Sequence, residues 1–333
     1  MLLTINHLYK SFNREKVQAV YDTSLQLEAG KTYAFLGESG SGKTTLARLI
    51  AGLERPDRGE IYLNERLISS ESYHLPAEKR AIGFVFQHYA LFPHLTIAKN
   101  IEYGISARPD KRKVVEDMLS LISLEGYGKR YPHEISGGQQ QRIALARALA
   151  PKPRLILLDE PFSNLDSNLR QELRTEVFTI LQKTGVGAIF ITHNSEDAMA
   201  ISDEIAVFKD GRLVQKATPE ELYEHPVSPY VAGFFDTLIE MPPSLLSSFG
   251  YQVNQHKLYL IRNHDFHFNG FKEFSTDATV ISSSRVGRNY LIDVKVGEHV
   301  LQVSSEEKPD QSEISISWRE RDLLVFPKPD QPV

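Results

Sequence analysis

Cysteine is absent from this chain of 333 residues, which rules out disulfides, thiolate metal sites and a cysteine nucleophile. A reducing cytoplasm is compatible with that absence. No stretch reaches the roughly 18 consecutive apolar residues of a transmembrane helix, so if the protein works at a membrane, another chain must cross it. The opening Met1 to Lys10 has neither a basic start nor a long apolar stretch, and is not expected to act as a secretory signal. An excess of positive charge is also missing. With 38 Lys and Arg against 43 Asp and Glu, the net charge is −5 and no overall basic field recommends nucleic acid as a partner, although a local patch stays open. What remains is an ordinary globular composition, 41% hydrophobic and 24% charged, on a length that suits about two domains.

Up to about residue 235, apolar strand-like runs alternate with helical patterns. The runs are Thr32–Leu36, Ile82–Phe86, Leu155–Leu158, Ala188–Thr192 and Ile205–Phe208. Strands that alternate with helices predict an α/β architecture on a largely parallel sheet. Between Gln87 and Ala150 no such run occurs, and Lys113–Leu124 and Gln139–Ala150 read as helices, which predicts a helical insertion. The composition shifts near Asp236 to Ser248, with Pro242-Pro243 followed by serines. Beyond it, Leu258–Arg262, Ala278–Ser282, Tyr290–Val296, Val300–Val303 and Ile314–Trp318 predict a small β-barrel or sandwich. On a strand, His264 and His267 would face opposite sides, and they read as solvated surface histidines.

Gly37-Glu38-Ser39-Gly40-Ser41-Gly42-Lys43-Thr44 completes the pattern G-x-x-x-x-G-K-[ST], between the apolar run Tyr33–Leu36 and a helical stretch that opens at Thr45. A triphosphate is a chain of anionic oxygens that only closely spaced donors can surround. Glycines let consecutive backbone N–H groups converge on those oxygens at a helix N-terminus. Lys43 is expected to neutralise the β and γ oxygens and the Thr44 hydroxyl to ligate Mg²⁺.

Leu155-Ile156-Leu157-Leu158-Asp159-Glu160 is an apolar strand that ends in two carboxylates. Taken alone it is equally a buried strand capped by solvated acids. Paired with the phosphate loop, Asp159 is expected to hold Mg²⁺ through its water shell and Glu160 to act as general base for the attacking water. Ser136-Gly137-Gly138-Gln139 opens a helix that Ser136 can cap, with its N–H groups unobstructed by the glycines. That is a second anion site on the same chain.

At these residues the chain resembles the ATP-binding cassette family, whose signature Leu-Ser-Gly-Gly-Gln is met here with Ile135 in place of leucine. Gln87 matches the family's Q-loop glutamine, a contact to metal and γ-phosphate. Ser163-Asn164-Leu165-Asp166 matches the D-loop, with Asn164 where a small residue is usual, and His193 matches the switch histidine. Phe12 lies where the family stacks an aromatic ring on adenine. The resemblance spans residues 1–235 and implies an α/β P-loop NTPase domain over 1–238 with a helical subdomain at about 88–150. It also implies a head-to-tail homodimer, in which Ser136, Gly137, Gly138 and Gln139 of one subunit close over ATP and Mg²⁺ held by Gly37–Thr45 of the other.

Leu260–Asp265 and Ile316–Phe326 resemble the transport-associated, OB-like domain that follows importer cassettes, with Asn263 where proline is frequent. The expectation for 239–333 is therefore a small all-β accessory domain. The whole implies the ATPase subunit of a bacterial binding-protein-dependent importer, peripheral on the cytoplasmic face of the inner membrane. It would sit beneath two permease subunits, served indirectly by a solute-binding protein and without nucleic acid. Iron(III) is the first cargo expected, with polyamine, sulfate or molybdate, and sugar as alternatives. A soluble cassette ATPase of DNA repair or translation, and a regulatory nucleotide-binding module, are the readings from other classes. Lys43→Ala is expected to abolish the rise in melting temperature that Mg-ATP produces by mass action. An unchanged rise in thermal denaturation would remove Lys43 from the site.

Overall fold

The computed structural model describes residues 1–12, 17–163, 167–269 and 273–328, with the side chains of 167–169 left aside. The backbone divides into two units, Met1–Glu224 and His225–Val333.

In the first unit, β1 (Leu3–Phe12), β2 (Val17–Leu27), β4 (Arg58–Leu63) and β5 (Arg66–Ser70) form an antiparallel sheet of order β2-β1-β4-β5. A second sheet joins β3 (Thr32–Leu36), β6 (Ile82–Val85), β7 (Leu155–Asp159), β8 (Gly187–Thr192), β9 (Glu204–Lys209) and β10 (Arg212–Ala217). Its order is β10-β9-β3-β8-β7-β6, and only the edge strand β10 runs antiparallel. The central strands β3, β7 and β8 are buried along their whole length, which is why they read as unbroken apolar runs rather than alternating ones.

Alternate residues of each strand serve different cores, because successive side chains leave a strand on opposite faces. Ile156, Leu158 and Phe190 pack with the helices α2 (Ile97–Glu102), α3 (Lys111–Leu121), α4 (Gly137–Leu149) and α5 (Ser167–Thr184). Leu155, Leu157, Ile189 and Ile191 pack instead with α1 (Lys43–Ala51) and the inner face of the antiparallel sheet, through Leu3, Ile5, Leu27 and Ile61. The segment from 88 to 150 contains α2, α3 and α4 and no strand. The antiparallel sheet is the element that the sequence patterns did not announce.

Arg80 is the largest buried charge in this unit, at 1% exposure. It follows a short 3₁₀ turn at Ala77–Lys79. Its Nη1 donates to the Leu49 and Ile50 carbonyls at 2.7 and 2.9 Å, and its Nε to the Leu75 carbonyl at 2.7 Å. The guanidinium thereby satisfies the last turn of α1, where orphan carbonyls and the negative end of the helix dipole favour a cation. Burial draws its pKa down to about 10, so it stays protonated near neutrality.

The second unit holds a three-stranded sheet of β11 (Leu238–Glu240), β12 (Lys257–Arg262) and β18 (Leu323–Pro327). A five-stranded sheet contains β13 (His267–Phe268), β14 (Phe274–Val286), β15 (Asn289–Val296), β16 (His299–Ser305) and β17 (Glu313–Trp318). Trp318, fully buried, stacks on Phe274 with centroids 4.6 Å apart and anchors this core. The division falls earlier than the residue 238/239 boundary expected from composition. Ala232 packs with Leu260, Leu324 and Phe326, and Leu238 pairs with Arg262, so the stretch before Pro242 is folded onto the β unit.

The reading of His264 is corrected too. β12 ends at Arg262, and His264 stands in the following turn with Nδ1 2.7 Å from the Asp236 carboxylate. The hydrogen bond to Asp236 raises its pKa, which a freely solvated ring would not show. For the first unit, Arg80→Met should lower stability by about 3 kcal/mol, the cost of stranding buried acceptors that a charge had satisfied. The readout is the urea midpoint of the unfolding transition of this unit, and an unmoved midpoint would deny Arg80 this role.

Candidate functional site

The parallel strands deliver the polar residues to one edge. Leu36 pairs with Thr192, and Asp159 with Ile191, so Gly37, Glu160 and His193 each follow the last residue of a neighbouring strand.

The loop from Gly37 to Thr44 is seated on remote backbone. A Cβ on Gly42, whose φ is 95°, would collide with the Ala19 carbonyl, and one on Gly37 would collide with that of Phe208. The Gly211 N–H donates to the Ser41 carbonyl at 3.2 Å. Ala19 and Gly211 are thus supports that no local pattern could have revealed, since both lie far from the loop in sequence. Glu38, Ser39 and Gly40 form the exposed crest of the loop, and Ser41 turns inward.

Lys43, the first residue of α1, is 5% exposed. Its ammonium donates to the Gly37 carbonyl at 2.7 Å, the Glu38 carbonyl at 2.8 Å and the Ser41 hydroxyl at 3.1 Å. Burial lowers its pKa, opposed by Glu160, Asp159 and Glu38. Next to it, the Thr44 hydroxyl donates to Asp159 Oδ1 at 3.0 Å. Burial raises the Asp159 pKa, and the Thr44 hydroxyl and Lys43 charge pull it back. Thr45 continues the helix without a polar contact assigned to its side chain.

Glu160 is held from several sides. Its φ of 45° lies in the left-handed region, a strained conformation for a residue with a side chain. Its N–H donates to the Ile191 carbonyl at 2.9 Å, and its own carbonyl accepts the Ser163 hydroxyl at 3.0 Å. Gln87 Nε2 donates to one carboxylate oxygen at 3.1 Å and reaches the Ser163 hydroxyl at 3.4 Å. His193 Nδ1 lies 3.1 Å from the other oxygen, and donates to it when the proton is on Nδ1. Two residues from distant segments, Gln87 and His193, therefore converge on one carboxylate, which neither could advertise alone.

Other expected residues stand apart from this cluster. Ser136 caps α4, accepting the Gln139 N–H at 3.4 Å, while Gln139 Oε1 accepts the Ser136 N–H at 3.1 Å. Ser136 and Gly137 are exposed, whereas Gly138 is buried against Leu173. Phe12 ends β1, a third exposed, with the Lys10 ammonium 5.2 Å from its ring centroid. Asn164, Leu165 and Asp166 lie outside the described residues.

No group of three or more His, Asp and Glu side chains gathers as a metal centre among the described residues. That donor set still suits Mg²⁺, which keeps several waters and is held by one or two carboxylates together with substrate phosphates. The Thr44 hydroxyl already touching Asp159 is the observation that fits.

Residues 20–163 match the family described as ABC transporter. The chain is 46% identical to the sulfate/thiosulfate import ATP-binding protein CysA of Synechocystis sp., an alignment covering 80% of this chain and 76% of that protein. It is 45% identical to the Fe(3+) ions import ATP-binding protein FbpC 2 of Haemophilus influenzae, over 74% of this chain and 69% of that one. Among solved structures, a dimeric post-hydrolysis ATP-binding cassette bound to ADP and Pi superposes with a TM-score of 0.58 at 28% identity. That match covers 66% of this chain and 99% of the other.

Proposed function

The chain belongs to the ABC transporter family, as an ATP-binding subunit that hydrolyses ATP, and from that premise we propose how its residues divide the work of an importer. The observation that carries the proposal is the Glu160 carboxylate held between Gln87 and His193 beside Lys43 and Asp159.

ATP lies along Gly37–Thr45, with its phosphates on the backbone N–H groups at the start of α1, and Phe12 against the adenine. Lys43 neutralises the β and γ oxygens. Thr44, Gln87 and Asp159 would hold Mg²⁺, which would supply charge neutralisation at the phosphates. Glu160 accepts the proton of the attacking water as its oxygen bonds to the γ-phosphorus and the bond to the ADP oxygen breaks. Such a base contributes about 10²–10⁴ in rate, or roughly 3–5 kcal/mol of barrier. His193 and Gln87 fix the orientation of that carboxylate, and Ser163 and Asp166 carry the D-loop.

The helix start at Ser136–Gln139, exposed at Ser136 and Gly137, belongs to the site of a second copy. One chain has two phosphate-binding helix starts but a single Lys43 and Asp159-Glu160 pair, so two sites form only in a head-to-tail homodimer. ATP then bridges the subunits, and loss of the γ-phosphate contact reopens them.

The partners proposed are two integral-membrane permease subunits and, through them, a solute-binding protein. Among the described residues no helix is long and apolar enough to cross a membrane. A peripheral place on the cytoplasmic face is proposed from the likeness to import ATP-binding proteins. The named relatives act on sulfate or thiosulfate and on Fe(3+) at nearly equal identity. We therefore propose an inorganic ion as cargo, iron(III) or sulfate. The β unit, His225–Val333, is proposed as a transport-associated accessory domain.

Co-purification with the permease, followed by ATPase assays with iron-loaded and sulfate-loaded binding proteins, tests the cargo. Stimulation by neither would reject both ions. Glu160→Gln should retain ATP and migrate as a dimer on size-exclusion chromatography in saturating Mg-ATP, with turnover lowered at least a hundredfold. A monomer under those conditions would contradict the shared site.

A further inference from the structure

Between the Gln87 amide and the helical segment that follows, the backbone makes an unusual turn. Tyr89 and Ala90, neither of them glycine, both occupy the left-handed region, at φ 59° and 46°. The turn is closed by the Tyr89 N–H on the Phe86 carbonyl at 2.8 Å and the Ala90 N–H on the His88 carbonyl at 2.6 Å. Side chains disfavour such a conformation at one residue, and two in succession need outside support.

That support comes from α4. Arg147, half-buried near the end of this helix, donates through Nη2 to the Tyr89 carbonyl at 2.9 Å and through Nη1 to the Ala90 carbonyl at 2.7 Å. The planar guanidinium presents its donors in a fixed fork, which matches two successive carbonyls as a single ammonium cannot. Its carbon also lies 5.4 Å from the centroid of the Phe92 ring. Further along, Asn100 of α2 holds Phe92 at both its N–H and its carbonyl. The joint next to Gln87 is thus pinned by Arg147, and the strand-distal side by Asn100.

We propose that Arg147 is a positioning residue for hydrolysis, holding the Tyr89-Ala90 turn so that Gln87 stays against Glu160. The helix that carries it begins at Gly137 with the Ser136 cap, about 15 Å away at 1.5 Å per residue. One rigid helix therefore has the second-copy phosphate contact at its start and the support of the Gln87 turn near its end. Displacement of α4 when a second copy engages Ser136–Gln139 moves Arg147 and the turn together, so closure of one site is felt at the Gln87 of the same chain. This inference rests on the ATPase reading above.

The test is a double-mutant cycle on the full-length protein, in which steady-state Mg-ATP hydrolysis is read as kcat and KM separately. Arg147→Met should lower kcat at least fivefold while KM for ATP changes less than twofold. In a Gln87→Ala background the same substitution should cost less than twofold, because the residue through which it acts is gone. Arg147→Lys, with one contact in place of two, should restore part of the loss, and it replaces R147M in the cycle should that variant fail to fold. Equal losses with and without Gln87 would overturn the proposal, since they would mark a general structural role. Hydrogen exchange reads the latch without turnover: amides of residues 88–92 should exchange at least tenfold faster in the variant while β7 is unchanged. Unaltered exchange there would overturn the proposal as well. A wild-type protein that fails to hydrolyse ATP would count against the ATPase reading, and the exchange measurement would still judge the latch.

Discussion

The parallel pairing of β3, β7 and β8 is the constraint on which the rest depends. Strands that run the same way end at the same edge, and the register Leu36↔Thr192 and Asp159↔Ile191 brings three chain reversals side by side. Each reversal must satisfy backbone groups that the sheet no longer pairs. The first does so with a glycine-rich loop and a helix start, the second with Glu160 in a left-handed conformation, the third with His193 and the Asn194 cap of α6 (Ser195–Ile201). The place where backbone donors and short polar side chains collect is thus set by the sheet, and triphosphate chemistry needs such a place.

That arrangement works against local stability. Lys43 and Asp159 are buried and each has its pKa moved toward the neutral form by desolvation. Glu160 and Tyr89-Ala90 hold unfavourable backbone angles. The two cores on either face of the sheet supply what these positions lack, since Ile156, Leu158, Leu155 and Leu157 are nearly completely withdrawn from water. Arg80 plays the corresponding part at the other end of α1, where the charge completes a helix terminus. A helix bearing the phosphate loop at its start is therefore fixed at both ends.

Legibility in the sequence followed the range of the physics involved. The central strands were readable because burial on both faces makes them continuous apolar runs, and α4 because Ser136 and Gln139 form a reciprocal cap within four residues. The antiparallel sheet was not. β1 and β2 are broken by register shifts around His7 and Asp22, both at positive φ, so the alternation that marks a half-buried strand is lost. The limit of the β unit was displaced for a similar reason. Ala232 and Leu238 carry no local signal that they pack with Leu260 and Leu324, whereas Pro242-Pro243 is conspicuous.

What the amino-acid order determined by itself was the set of groups that act through near neighbours: the Gly37–Thr44 loop, the carboxylates at the end of an apolar strand, and the capped helix at Ser136. Their meaning is local because backbone turns and caps are closed within a few residues. Tertiary structure alone decided the contacts between distant segments. It seated Gly42 against Ala19, set Gln87 and His193 on the two oxygens of Glu160, and brought Arg147 to the Tyr89 and Ala90 carbonyls. Hydrogen bonds demand positions correct to a fraction of an ångström. For hydrogen-bonded residues 33 to 73 positions apart, only the packed sheet and its helices can supply that.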